Sequence, residues 1–271
     1  MLRNPFDFDR RHALITGCGS RAGIGFAAAR LLAGLGARIA ITSTTGRIED
    51  RAGELRADGA AVSAHVADLT DRRQASDLVA AAQAATGPLD ILVHAAGMVQ
   101  TGTESPGARF AELLPEVWQR SFDLNLNTAF HTAQAILPGM VERGYGRIVL
   151  ISSVTGPFVT APGDAAYAAA KAAIDGMMRT LALEYGRAGI TVNSVAPGWI
   201  ATGSSTPMEL QAGRSTPVGR PGTADEVASV GAYLASDEAS YVTGQSIVVD
   251  GGNIIQEPHG VDLYGASAQA G

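Results

Sequence analysis

Short apolar runs alternate with helical stretches along almost the whole of this 271-residue chain, and no other feature restricts the fold as much. Apolar strands are expected over 11–16, 37–42, 60–66, 89–94, 146–152, 190–196 and 246–250. Helices are expected over 26–35, 46–58, 71–86, a long and interruptible 115–141, and 164 to 189. Between 98 and 114, Gly, Ser, Thr and Pro crowd together and read as a loop. Strand–helix–strand repetition implies parallel strands joined by right-handed crossovers, with helices on both faces. The expected architecture is a single-domain, doubly wound α/β sheet of about seven strands. A hydrophobic content of 46% supplies an ample core for one such domain.

The first strand runs into Gly17-Cys18-Gly19-Ser20-Arg21-Ala22-Gly23-Ile24-Gly25, and a helix rich in Ala and Leu follows. Gly36 stands where a helix C-cap glycine would. Strand, glycine turn and helix in that order suit a pyrophosphate. The glycines let the backbone approach it, and the helix N-terminus offers free N–H groups and a positive dipole end. A tight turn with no ligand is the competing reading of any lone glycine cluster. Gly17, Ser20, Arg21, Gly23, Ile24 and Gly25 are the candidate contacts. Ligands of open parallel sheets collect at the carboxyl ends of the strands. The glycine turn, Asp68, Ala96-Gly97, Ser153 and Pro197-Gly198 all follow predicted strands, so they should converge on one edge.

Tyr167 and Lys171 are four residues apart on a predicted helix and so share a face. An ammonium ~4 Å from a phenol, at an effective dielectric of ~20, favours the phenolate by roughly 4 kcal/mol before desolvation subtracts some. A phenol tuned from ~10 toward ~7 is expected, fit for general acid–base work. Taken alone, this spacing is usually a solvated helix face.

Net charge of −6 argues against nucleic acid or an anionic membrane as the main partner. The single cysteine, Cys18, excludes an internal disulfide and suits a reducing compartment. No apolar run approaches the ~18 residues of a membrane span. Residues 1–11 lack a signal pattern. A cytoplasmic location is expected, and no metal.

Together these landmarks resemble the short-chain dehydrogenase/reductase family, and in particular its β-ketoacyl-ACP-reductase-like members. The resemblance runs from Arg11 to Gly252. It rests on Thr16-Gly17 with Gly23-Ile24-Gly25, Asp68, Ala96-Gly97, Asn125, Ser153, Tyr167 with Lys171, Pro197-Gly198 with Thr202, and Thr243-Gly244 with Asp250-Gly251-Gly252. It implies a Rossmann-type fold, a nicotinamide cofactor and a homotetramer. It implies Tyr167 as proton donor or base, and Lys171 as the group that lowers its pKa and binds the nicotinamide ribose. Ser153, rather than Ser152, would hydrogen-bond the substrate oxygen. Asn125 would hold a water linking Lys171 to solvent, or else only kink its helix. Pro197, Gly198, Ile200 and Thr202 match the loop at the nicotinamide end. Asp68 matches the adenine contact, with helix capping as its other role.

A carboxylate just after the second strand would hold the adenine-ribose hydroxyls and repel a 2′-phosphate. Here Thr42, Ser43, Thr44 and Thr45 occupy that place, with Arg21 and Arg47 near enough in sequence to bind phosphate. NADP(H) is favoured over NAD(H), with solvated surface charge as the alternative for both arginines.

Three features depart from the family pattern. Five residues separate Gly17 from Gly23, where close relatives have three; longer loops occur in the enoyl-reductase branch, whose Tyr and Lys are spaced more widely. His94-Ala95-Ala96-Gly97 replaces Asn-Asn-Ala-Gly. The interval from Ser153 to Tyr167 is one residue longer, with Pro157 and Pro162 inside it. Residues 203–221 are expected to form a substrate lid and 253–271 a C-terminal tail. Phe158, Val159, Met208 and the stretch from Met98 to Thr103 are candidate pocket walls. The expected activity is NADP(H)-dependent interconversion of a small ketone and a secondary alcohol. A non-catalytic nucleotide-binding redox sensor is the alternative, and a dehydratase or epimerase a third.

Overall fold

The computed structural model describes residues 6–97 and 107–257. The chain enters the sheet at β1 (His12–Ile15), and α1 (Ile24–Gly34) returns it to β2 (Arg38–Ser43). The units α2 (Ile48–Ala57), β3 (Val62–Val66), α3 (Arg72–Thr86) and β4 (Ile91–His94) complete the first half. The second half holds α4 (Pro115–Phe122), α5 (Thr128–Arg143), β5 (Gly146–Ile151), α6 (Ala165–Tyr185) and β6 (Ile190–Pro197). After it come β7 (Ile200–Ala201), α7 (Pro207–Arg214), β8 (Gly222–Thr223), α8 (Ala224–Ala235) and β9 (Ser246–Val249).

Seven strands form one parallel sheet in the order β3-β2-β1-β4-β5-β6-β9, the Rossmann-type doubly wound arrangement. The chain first builds outward from β1 to β3 and then resumes on the other side of β1 with β4. Side chains alternate across each strand, so one strand feeds two cores. Ala13 and Ile15 join Phe26, Leu32, Ile39, Ile41, Val227 and Leu234 on one face. Leu14 joins Leu78, Leu92, Ile136, Met140, Ile174 and Met178 on the other. Each fully buried aliphatic contributes about 1.5–3 kcal/mol. The reversal between β1 and β4 opens a crevice at their carboxyl ends, where such sheets hold ligands.

Several local expectations shift. The long predicted helix is two helices, α4 and α5, joined by a π-helical turn at Asp123–Asn127. The helix of Tyr167 stops at Tyr185, and a 3-10 turn carries the chain to Gly189 at φ +77°. Asp164 precedes that helix but makes no capping hydrogen bond. Asp71, not Asp68, caps α3, accepting from the Arg73 N–H at 2.8 Å. The helices α7 and α8 occupy stretches to which the sequence reading assigns none. Each begins with a capping box, Thr206 with Glu209 and Thr223 with Glu226. The stretch from Met98 to Thr103 lies outside the described residues, as does the tail from Pro258.

Candidate active site

The glycine turn is shaped by contacts that leave no room for side chains. A Cβ on Gly17 (φ +71°) would stand 2.4 Å from the Ala95 carbonyl oxygen, and one on Gly25 would stand 2.6 Å from that of Thr16. The turns after β1 and β4 therefore touch through backbone. Gly23 begins α1 with no side-chain cap, and no acidic residue lies in the first turn. The leading N–H groups, Ile24 and Gly25 among them, thus lie at the positive end of the helix dipole. This donor set fits a dinucleotide pyrophosphate.

At the end of β2, Thr42 is buried with its Oγ1 unpartnered, and Ser43 Oγ donates to the Thr45 carbonyl at 2.9 Å. Arg47 lies across Gly19, whose Cβ would meet Arg47 Nε at 2.7 Å and Ser43 Cβ at 3.0 Å. It has no ion-pair partner among the described residues. Arg21 stands elsewhere, exposed, with its Nε 3.0 Å from Glu54. Ser20 approaches the start of the candidate lid, where a Cβ on Gly203 would lie 3.1 Å from Ser20 Oγ. Asp68 Oδ1 accepts from the Thr70 N–H and hydroxyl at 3.0 and 2.7 Å and so braces its own turn.

Four polar side chains gather on the other side of the crevice. Lys171 is 3% exposed, its Nζ donating to the Ile151 carbonyl at 3.0 Å and lying 5.7 Å from the centre of the Tyr167 ring. Ser153 Oγ accepts from the Thr155 N–H at 3.0 Å, whereas Ser152 Oγ is directed to the backbone of Lys171 at 3.3 Å. Asn125 is buried in the π-helical turn, its Nδ2 donating to the Ser121 carbonyl at 3.1 Å. Ala96 and Gly97 link the two halves: a Cβ on Gly97 would lie 3.1 Å from Asn125 Oδ1 and 3.5 Å from Lys171 Nζ. Pro197 ends β6 and Gly198 follows it, pressed against Asp250. Ile200 sits in β7, and the Thr202 N–H donates to Ser205 Oγ at 2.9 Å.

The electrostatics differ from expectation. Burial pushes the Tyr167 phenol up to about 12; the Ser153 hydroxyl opposes this, while Asp164 and Glu209 add to it. Lys171 goes the other way, burial lowering it to about 8 while Asp175 resists. The ammonium points at a backbone carbonyl rather than at the phenol, so desolvation outweighs it. Asp164 and Glu209 were not candidates at all. The capping pattern of Thr206 and Glu209 was the one available signal for the second.

A family profile described as enoyl-(acyl carrier protein) reductase matches residues 17–253. The oxidoreductase UcpA of Salmonella typhimurium (strain LT2) is 37% identical over 257 residues, covering 90% of this chain and 95% of UcpA. The 3-oxoacyl-[acyl-carrier-protein] reductase FabG of Escherichia coli (strain K12) is 36% identical over 252 residues, covering 91% and 98%. Among solved structures, a short-chain type dehydrogenase/reductase from Mycobacterium ulcerans superposes with a TM-score of 0.84 at 32% identity, covering 93% of each chain. A putative gluconate dehydrogenase from Agrobacterium tumefaciens gives 0.85 at 32%, covering 93% of this chain and 99% of its own.

Proposed function

The chain belongs to the short-chain dehydrogenase/reductase family of oxidoreductases, and from that premise we propose an NADP(H)-dependent enzyme that interconverts a ketone and a secondary alcohol. The observation that carries this reading is the convergence of Ser153, Tyr167, Lys171 and Asn125 beside the glycine turn. A binder of nucleotides needs no proton donor there. A bound dinucleotide supplies hydride chemistry, and the chain supplies position and protons. Gly17 through Gly25 would hold the pyrophosphate, Thr42 and Ser43 the adenine ribose, and Asp68 the adenine. Ala96, Gly97, Pro197, Gly198, Ile200 and Thr202 would line the nicotinamide end. Tyr167 gives its proton to the carbonyl oxygen in reduction and recovers it in oxidation. Ser153 hydrogen-bonds the same oxygen and stabilises charge on it. Lys171, its Nζ 5.7 Å from the centre of the Tyr167 ring, would bind the nicotinamide ribose, and Asn125 would connect Lys171 to solvent. Residues 203–221, with α7 inside, close over the substrate. The assembly is a homotetramer in the cytoplasm. Among the described residues no helix is long and apolar enough to cross a membrane.

The preference for NADP(H) rests on a β2 terminus without a carboxylate and on Arg47 beside Ser43. Removing one charge-assisted phosphate contact should matter only for the phosphorylated cofactor. Arg47→Ala is expected to weaken NADPH about tenfold and NADH less than about twofold, by fluorescence titration. Arg21→Ala should cost less, because Glu54 already engages that guanidinium. Equal losses for both cofactors in Arg47→Ala would remove it from the 2′-phosphate site.

The activity is tested by NADPH consumption against β-keto esters and thioesters, cyclic ketones, diketones and aryl ketones. Turnover of one class names the substrate type. Tight NADPH binding with no turnover across the panel would favour the redox-sensor reading instead.

A further inference from the structure

His94 ends β4 at the reversal of the sheet and is 1% exposed. Its ring nitrogens face two threonine hydroxyls. Nδ1 lies 3.2 Å from Thr16 Oγ1, and Nε2 lies 3.2 Å from Thr128 Oγ1. Counting protons fixes the direction of both bonds. A threonine hydroxyl has one proton to donate and two lone pairs. Thr16 Oγ1 already accepts from the Ala95 and Ala96 N–H groups, at 3.1 and 3.0 Å. Its own proton therefore goes to Nδ1, which must be bare. The neutral ring carries its proton on Nε2 and donates to Thr128 Oγ1. Thr128 Oγ1 donates in turn to the Leu124 carbonyl at 2.9 Å. Burial first, and the neighbouring Lys171 charge second, hold the imidazole down at about 3 against an opposing backbone hydrogen bond with Ala96. The ring thus stays neutral near physiological pH.

The chain of bonds ends on the backbone that carries Asn125. Leu124 precedes it within the π-helical turn, and the Gly97 backbone packs against both. We infer that His94 is a positioning residue, a single-tautomer imidazole that ties the end of β1 to the π-helical turn and so sets where Asn125 stands beside Gly97 and Lys171. The catalytic consequence rests on the role proposed above for Asn125; the geometric claim does not.

The test uses the full chain labelled with ¹⁵N. His94, assigned by the signal lost in His94→Gln, is expected to show a bare Nδ1 and a protonated Nε2, unchanged between about pH 5 and 8. A protonated Nδ1, or a titration in that range, overturns the inference. The Asn125 side-chain amide signals, assigned with Asn125→Ala, provide the second readout. They should move in His94→Asn, whose shorter amide spans only the Nδ1 position. They should stay near their native values in His94→Gln, which reaches toward Thr128. Asn125 signals indifferent to His94→Asn would also overturn it. In turnover, His94→Asn should lower kcat about tenfold with KM for NADPH unchanged within about threefold, and His94→Gln should recover most of the loss. In an Asn125→Ala background the His94→Asn loss should vanish; a fully additive loss means His94 does not act through Asn125. If Asn125→Ala alone leaves turnover intact, the catalytic role of Asn125 falls, while the amide signals still decide what His94 positions.

Discussion

Replacing Tyr167 with phenylalanine is expected to lower turnover by about a thousandfold or more, within the range for loss of a positioned acid–base group. The ring is kept, so packing on α6 is kept as well. Only the phenolic oxygen goes, and with it the proton that the carbonyl oxygen must receive. NADPH affinity should stay within about threefold, because the glycine turn and the end of β2 supply most of its contacts. Turnover near the native rate would remove Tyr167 as proton donor. The native enzyme should also show a directional signature. With the phenol held at about 12, it is protonated throughout the neutral range and ready to donate. The base needed for oxidation is scarce there. Alcohol oxidation should therefore climb about tenfold per pH unit between roughly pH 7 and 9, while reduction does not share that rise. Parallel pH profiles in the two directions would contradict this.

Local pattern made the sheet legible. Short apolar runs place β1 to β6 and β9 within a residue or two, because strands covered on both faces are built mainly from apolar residues, even where β6 admits Thr191, Asn193 and Ser194. The glycine turn was legible because a Cβ at Gly17 or Gly25 would collide with backbone. An interruption at Asn125 was allowed for, but its π-helical form was not, since nothing in Asp123-Leu124-Asn125-Leu126-Asn127 specifies that winding. The helices α7 and α8 could have been found from Thr206-x-x-Glu209 and Thr223-x-x-Glu226, which are sequence-level start signals. The phenol and ammonium were misjudged for a different reason. Spacing on a helix puts Tyr167 and Lys171 on one face but does not fix where Nζ points. It points to the Ile151 carbonyl, and burial then governs both groups. The sequence favours Arg21, inside the glycine turn, over Arg47 as the phosphate contact. Only the fold gives one to Glu54 and lays the other beside Ser43.

Lys171→Met should abolish turnover and at the same time change how stability depends on pH. An ordinary lysine titrates near 10.5, and burial brings Lys171 down to about 8. A base with a depressed folded-state pKa binds its proton less tightly when folded than when unfolded. Below pH 8 both states are protonated, and the buried cation opposes folding in full. Between 8 and 10.5 the unfolded chain holds more protons, so stability rises with pH through that window. The gap corresponds to roughly 3 kcal/mol, each pKa unit being worth about 1.36. Lys171→Met also loses the bond to the Ile151 carbonyl and alters packing, but these terms do not vary with pH. In urea unfolding, the native protein should therefore gain roughly 3 kcal/mol relative to Lys171→Met from pH 8 to 10.5, and nothing below 8. A constant difference would mean that the ammonium is not penalised by burial. The gain, if measured, identifies Lys171 as a charge held in the core against folding.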